Sequence, residues 1–148
     1  MGLFNSKDAD FTPDYKNHYL EFDSRKHLLR LRLGAFKKVV VPLADLRGYK
    51  LVQDGKELLS ATAGKPLGLS QDEFLPRIIR VNQEEAGAEL MEGDIYKLEV
   101  VVQTTKGDQT MKFIDTRTPI KSPAYTDAAL DLQSVLARLD QALAAVEA

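Results

Sequence analysis

The final stretch of the chain, Ser122 to Val146, constrains the fold most, because it alone carries a long helical period. Its apolar residues recur at spacings of three and four, and at about 100° per residue they fall on one face. They are Tyr125, Ala128, Ala129, Leu132, Val135, Leu136, Leu139, Leu143 and Val146. Ser122 is a favourable N-cap, and Pro123 suits the first helical position, where a missing N–H leaves no bond unmade. The stripe is wider than a coiled-coil seam, so we predict a helix that packs on a sheet.

The upstream sequence contains a clear period of two. Leu29, Leu31 and Leu33 alternate with Arg30 and Arg32. Successive side chains of a strand point to opposite faces. We therefore expect a strand with one buried face and one charged face.

The dipeptide Asp54-Gly55 lies between two apolar runs and predicts a hairpin. Both central residues of a type I′ turn need a positive φ, which this dipeptide adopts readily. The two runs are Leu46–Gln53 and Lys56–Ala61. A two-residue loop then predicts two cross-strand pairs, Gln53 with Lys56 and Leu51 with Leu58.

Other apolar segments indicate further strands, joined mostly as sequential hairpins. They are His18–Asp23, Phe36–Val41, Phe74–Val81, Ile95–Thr105 and Gln109–Asp115. Within the fourth segment, one face should carry Tyr96, Leu98, Val100 and Val102. The polar segment Gln83–Asp94 predicts a long loop. We therefore predict a mainly β fold of about seven or eight antiparallel strands with one C-terminal α-helix, as a bent sheet or two near-orthogonal sheets whose open end the helix fills.

Length and composition limit the alternatives. A chain of 148 residues is most simply one domain. Residues 1–16 are polar and indicate a flexible tail, which leaves 17–148 as the domain. There is no cysteine, which excludes disulfides and cysteine-ligated zinc. The net charge of −2 and the absence of tryptophan argue against nucleic acid as a partner. We expect a cytoplasmic protein without a cofactor or a metal site.

The order of strands followed by a capping helix resembles a pleckstrin-homology-like (PH-like) domain. The sequence is also similar to uncharacterised bacterial proteins in which such a domain often follows a zinc-binding module, which is missing here. The resemblance rests on Val41–Leu46, Gly48–Leu51, the Asp54-Gly55 turn and Lys121–Tyr125 with the helix that follows. It implies a barrel of about seven antiparallel strands capped by a helix, and a binding role. It transfers no catalytic residue.

Basic residues are concentrated in the first third of the chain. Between Lys16 and Lys50 there are nine basic and three acidic residues, a net charge of +6. The candidate anion-binding or lipid-binding residues are Lys26, Arg30, Arg32, Lys37 and Lys38. PH domains that hold inositol phosphates use a lysine, a spacer and a basic-x-basic triplet, and Lys16 or Lys26 with Arg30-Leu31-Arg32 is similar. The alternative is a solvated face that binds nothing.

The sequence favours a non-enzymatic binding or assembly module that acts through protein–protein contacts, including association with a second copy. One such contact would join the basic patch to the acidic Gln83–Asp94 segment of another copy. The alternative is peripheral binding to anionic phospholipid at the inner membrane face through the basic patch. A third alternative is an unidentified enzyme, although no spacing of histidines or carboxylates demands one.

Overall fold

The structure is a computed structural model, and it describes residues 11–34, 36–86 and 93–146. In these ranges the chain forms ten strands and two α-helices, with a short 3-10 turn at Leu43–Asp45. The strands are β1 (Tyr15–Lys16), β2 (Leu20–Asp23), β3 (Leu28–Arg32), β4 (Lys38–Pro42), β5 (Leu46–Gln53), β6 (Lys56–Thr62), β7 (Asp94–Ile95), β8 (Leu98–Thr104), β9 (Gly107–Ile114) and β10 (Thr118–Pro119). The helices are α1 (Gln71–Ala86) and α2 (Pro123–Ala144).

The strands form three antiparallel sheets. One has the order β1-β2-β3-β4, the second has the order β6-β5-β8-β9, and β7 and β10 form a short ribbon. The predicted mainly β class, the antiparallel pairing and the C-terminal helix are confirmed. No sheet closes on itself within the described residues, so the closed barrel of about seven strands is not confirmed.

Helix α2 follows its prediction closely. The Ser122 side chain accepts a hydrogen bond from the Tyr125 N–H, and Pro123 occupies the first turn. All nine residues of the predicted apolar stripe are buried. The helix contacts β5, β6, β9 and β10, so its apolar face completes the hydrophobic core between the sheets.

The first sheet also follows its sequence pattern. Leu20 pairs with Leu31 and Phe22 pairs with Leu29, and all four side chains are buried. The intervening residues of β2 and β3 face the other side of the sheet. The pair on that other side is Glu21 and Arg30.

The β5–β6 hairpin has the predicted turn but a different register beyond it. Asp54 and Gly55 have φ angles of 49° and 82°, as a type I′ turn requires. Gln53 pairs with Lys56 as predicted. Leu51, however, pairs with Leu59 rather than Leu58, because a bulge between Leu51 and Val52 shifts the strand by one residue.

Three predictions about the middle of the chain are wrong in whole or in part. Phe74–Val81 belongs to helix α1 and not to a strand. Phe74 and Ile78 lie one helical turn apart and are both buried. The helix also includes residues 83–86 of the predicted loop, whose residues 87–92 lie outside the described ranges. Tyr96 is 56% exposed and does not share the buried face of β8.

The fold begins before the predicted domain boundary at residue 17. Phe11 is buried, and β1 pairs with β2 through Tyr15–Phe22 and Lys16–Glu21. Residues 1–10 of the predicted tail lie outside the described residues.

Candidate anion-binding site

The five predicted basic residues do not form one patch. Lys26 lies in the turn that joins β2 to β3, next to the Leu28 end of β3. Arg32 lies at the other end of β3, where it pairs with Lys38 of β4. Four residues of strand separate these ends by about 14 Å. Lys26 therefore cannot share a small ligand with Arg32 and Lys38.

Arg30 is bound within the fold. Its Nε donates a hydrogen bond to Oε2 of Glu21 at 2.6 Å, and Glu21 is only 4% exposed. The Arg30 guanidinium also lies 4.4 Å from the centre of the Phe11 ring. The hydrogen bond from Arg30, followed by the positive charges of Arg30 and Lys16, holds the pKa of Glu21 below its usual value despite burial. Arg30 therefore neutralises a buried carboxylate and is not a candidate ligand residue.

Arg32 lies in a cleft of about 400 Å³ at the end of the first sheet. The cleft is lined by His18, Tyr19, Arg32, Leu33, Gly34 and Lys112. We refer to these six residues as the cationic cleft. Three segments meet there: the turn before β2, the end of β3 and the edge strand β9.

Local hydrogen bonds fix the turn before β2. The Asn17 Oδ1 accepts hydrogen bonds from the N–H groups of Tyr19 (2.8 Å) and Leu20 (2.9 Å). The Arg32 N–H donates to the Tyr19 carbonyl at 2.8 Å, which ties this turn to the end of β3. These contacts hold His18 and Tyr19 beside Arg32.

A ring contact brings β9 to the same place. The centres of the Tyr19 and Phe113 rings are 4.3 Å apart, and the His18 ring meets the edge of Tyr19 at 5.1 Å. Lys112, the residue before Phe113 in β9, lines the same cleft. The site thus depends on a contact between residues more than ninety positions apart.

The electrostatics of the cleft favour an anion. Arg32 and Lys112 carry positive charges, and no carboxylate is among the lining residues. Asp115 Oδ2 lies 3.7 Å from Lys112 Nζ, but both side chains are 55% exposed and such pairs are weak. Burial, then the negative charge of Asp131, raises the pKa of Tyr19, so its hydroxyl remains a hydrogen-bond donor.

The loop between β3 and β4 extends the cationic surface. Lys37 and Lys38 are exposed, and Lys38 lies directly across from Arg32 on the same face of the sheet. Phe36, immediately before them, is fully exposed. The structure therefore places Arg32 opposite Lys38, separates Lys26 from them, engages Arg30 with Glu21, and adds His18 and Lys112 to the candidate site.

A second polar cluster lies in the core. Asp140 on α2 is 3% exposed and accepts hydrogen bonds from the Tyr49 hydroxyl (2.7 Å) and from the N–H groups of Leu67 (2.7 Å) and Gly68 (2.8 Å). Both carboxylate oxygens are therefore occupied by donors of the fold. Burial, then this hydrogen bond, raises the pKa of the Tyr49 hydroxyl. The cluster links the segment before α1 to α2, and we interpret it as a structural contact and not as a ligand site.

The described ranges also bear on metal sites and membrane spans. No group of three or more histidine, aspartate or glutamate residues there is arranged to hold a metal ion. Neither helix in those ranges is long and apolar enough to cross a membrane.

Comparisons of the chain with protein-family models, with curated proteins and with solved structures found no match. The PH-like resemblance therefore stays a prediction, and the candidate site rests on its own geometry.

Proposed function

We propose that this protein is a non-enzymatic binding module that holds a phosphate group of an anionic lipid in its cationic cleft. The observation that carries the proposal is the convergence of Arg32, Lys112 and His18 on one cleft without a lining carboxylate. The PH-like arrangement belongs to the same proposal. Two four-stranded antiparallel sheets and a C-terminal helix support it.

The chemistry of the lining residues suits a phosphate. The planar guanidinium of Arg32 can give two parallel hydrogen bonds to phosphate oxygens, and Lys112 adds a compact positive charge. Gly34 presents no side chain at the cleft, and the space around it is open. A cleft of about 400 Å³ admits a headgroup but not a large folded partner.

The exposed loop before β4 favours a lipid as the source of the phosphate. An aromatic ring on a loop tip, followed by two lysines, can enter the interface of a bilayer while the lysines meet anionic headgroups. Phe36, Lys37 and Lys38 have this order, and Lys38 adjoins Arg32. For this reason the geometry favours lipid over the protein–protein contact predicted first from the sequence.

Co-sedimentation with vesicles tests the proposal. The full chain should bind vesicles of phosphatidylserine and phosphatidylcholine at low salt, and less at high salt, because exposed charges are screened. R32Q should weaken this binding about tenfold or more, since one charge-assisted hydrogen-bonding group contributes about 1.5–3 kcal/mol. R80Q, on α1, removes the same charge away from the cleft and should change binding less than about twofold.

The variant F36S separates the two sources of phosphate. It should weaken binding to vesicles and leave binding of soluble glycerol phosphate unchanged, whereas R32Q should weaken both. Equal binding of wild-type and R32Q protein to anionic vesicles would refute the proposal. Binding of glycerol phosphate with no binding to vesicles would retain the cleft and exclude the lipid.

A further inference from the structure

A second feature of the molecule, the edge strand β9, points to self-association, and one of its residues, Lys112, also lines the cleft. β9 is the outermost strand of the sheet β6-β5-β8-β9, and within the described residues no strand lies on its outer side. The strand is eight residues long, and a tight turn at Thr105-Lys106 joins it to β8. Its main-chain groups therefore decide what could pair with it.

The outward main-chain groups of β9 follow from the alternation of bonds in β8. Asp54 N–H donates to the Lys97 carbonyl, and Thr105 N–H donates to the Asp45 carbonyl, so the odd-numbered residues of β8 bond to β5. The even-numbered residues must then bond to β9. Their partners are Gly107 for Thr104, Gln109 for Val102 and Met111 for Val100. The N–H and C=O groups of Asp108, Thr110 and Lys112 consequently point away from the sheet.

The other edge strands of the two large sheets are less able to pair with a strand of another molecule. β1 has two residues. On β4, Leu33 N–H donates to the Lys37 carbonyl and Leu43 N–H donates to the His27 carbonyl, so the odd-numbered residues bond to β3. The main-chain groups of residues 38, 40 and 42 therefore face outward. Pro42 has no N–H to offer, as is common for protected edges. On β6, Thr62 forms a bridge with Lys65, and α1 packs on the strand.

We infer that β9 pairs with β9 of a second copy, antiparallel, about a two-fold axis through Thr110. In this register Thr110 lies opposite itself, and Asp108 of each copy lies opposite Lys112 of the other. Asp108 and Lys112 are both exposed, so opposite charges meet directly on one face of the new sheet. Three hydrogen-bonded pairs would form six main-chain bonds and join the two sheets into one of eight strands.

The charges also select this register over its neighbours. If the axis moves to residue 109, Lys112 comes to lie opposite Lys106 of the other copy, and like charges directly opposite are destabilising. If the axis moves to residue 111, Asp108 lies opposite the apolar Ile114. The arrangement about Thr110 is the one that pairs both charged residues.

The dimer should be weak, because one pair of edge strands buries less than the roughly 1,200 Å² of a stable interface. Dissociation constants in the range of about 10 µM to 1 mM correspond to such an interface. Sedimentation velocity of the full chain over about 10 µM to 500 µM should therefore show a shift from monomer to dimer.

Charge reversal tests the register. D108K and K112D each place like charges opposite one another twice, and each should raise the dissociation constant at least about fivefold. The double variant D108K/K112D restores opposite charges and should regain the dimer. Two control variants carry the same charge changes elsewhere: D127K, on the exposed face of α2, matches D108K, and K106D, in the turn, matches K112D. Both controls should dimerise as the wild type does.

The outcomes separate this inference from the proposed function. Lys112 also lines the cationic cleft, so the double variant should dimerise and yet bind vesicles weakly, whereas R32Q should bind vesicles weakly and dimerise normally. A wild-type chain that stays monomeric up to about 500 µM would overturn the inference. A dimer that the single reversals leave intact, or that the double variant does not restore, would overturn it as well.

Discussion

Replacing Asp140 with alanine should destabilise the whole domain, because this buried carboxylate accepts hydrogen bonds from three donors of the fold. The Tyr49 hydroxyl and the N–H groups of Leu67 and Gly68 lie 2.7, 2.7 and 2.8 Å from it. Each donor left without a partner costs about 1–3 kcal/mol. Partial relaxation of the segment at Leu67 lowers the sum, so D140A should reduce the free energy of unfolding by about 3–5 kcal/mol. That loss is a large part of the roughly 5–15 kcal/mol typical of a domain.

A double-mutant cycle shows whether the loss arises from this cluster. Urea unfolding followed by circular dichroism would be measured for the wild type, Y49F, D140A and the double variant. Y49F alone should cost about 1.5–3 kcal/mol, because it removes a hydrogen bond to a charged acceptor. In the D140A background the same change should cost little, since the hydroxyl has already lost its partner, which gives a coupling energy of about 1–3 kcal/mol. An additive cycle, or a D140A loss below about 1 kcal/mol, would refute this reasoning.

Three further predictions concern pH and packing. Because the pKa of Glu21 is lowered, its stabilising contribution is present above the unfolded pKa of about 4.3 and is lost as the pH falls through the folded pKa. E21Q should therefore be less stable than the wild type at pH 7 and should lose less stability on acidification. Urea titrations at several pH values would show both effects. Because the pKa of Tyr49 is raised, stability should fall as the pH rises above about 10, and Y49F should lack this part of the fall in the same titrations. A Cβ at Gly48 would lie 2.6 Å from the Ala61 carbonyl oxygen, so G48A should lower the free energy of unfolding by about 1–3 kcal/mol, and a neutral G48A would show that β5 can shift away from β6.

Local sequence signals predicted those elements whose determinants lie close together in the chain. The apolar stripe of α2 and its Ser122-Pro123 start are local, and the structure confirms both. The Asp54-Gly55 turn is also local, and its φ angles are those expected. The bulge after Leu51 has no such signal, because it depends on how β5 fits both of its neighbours.

Helix α1 was within reach of the sequence but was predicted as a strand. Pro76 lies within this segment, and proline is tolerated in the first turn of a helix as well as in edge strands. The spacing of Ser70 and Glu73 is that of a capping box, and the Glu73 carboxylate does accept a hydrogen bond from the Ser70 N–H at 3.0 Å. Together with Phe74 and Ile78 one turn apart, this signal would have identified the helix.

The candidate site was only partly predictable for a physical reason. Arg32, Lys37 and Lys38 are close in the sequence, so their clustering could be expected. Lys112 reaches the cleft through the Tyr19–Phe113 ring contact, which joins distant segments. Arg30 looked equally available, but the buried Glu21 across the strand binds it, and burial of that carboxylate is a property of the folded sheet.

The most direct test of the cationic cleft is an NMR titration of the full chain with glycerol phosphate. We predict saturable shifts confined to the signals of His18, Tyr19, Arg32–Gly34 and Lys112, including the Arg32 side-chain N–H, that are lost in R32Q and retained in R80Q. Shifts spread evenly over exposed lysines that include Lys26, or shifts that persist in R32Q, would contradict the account.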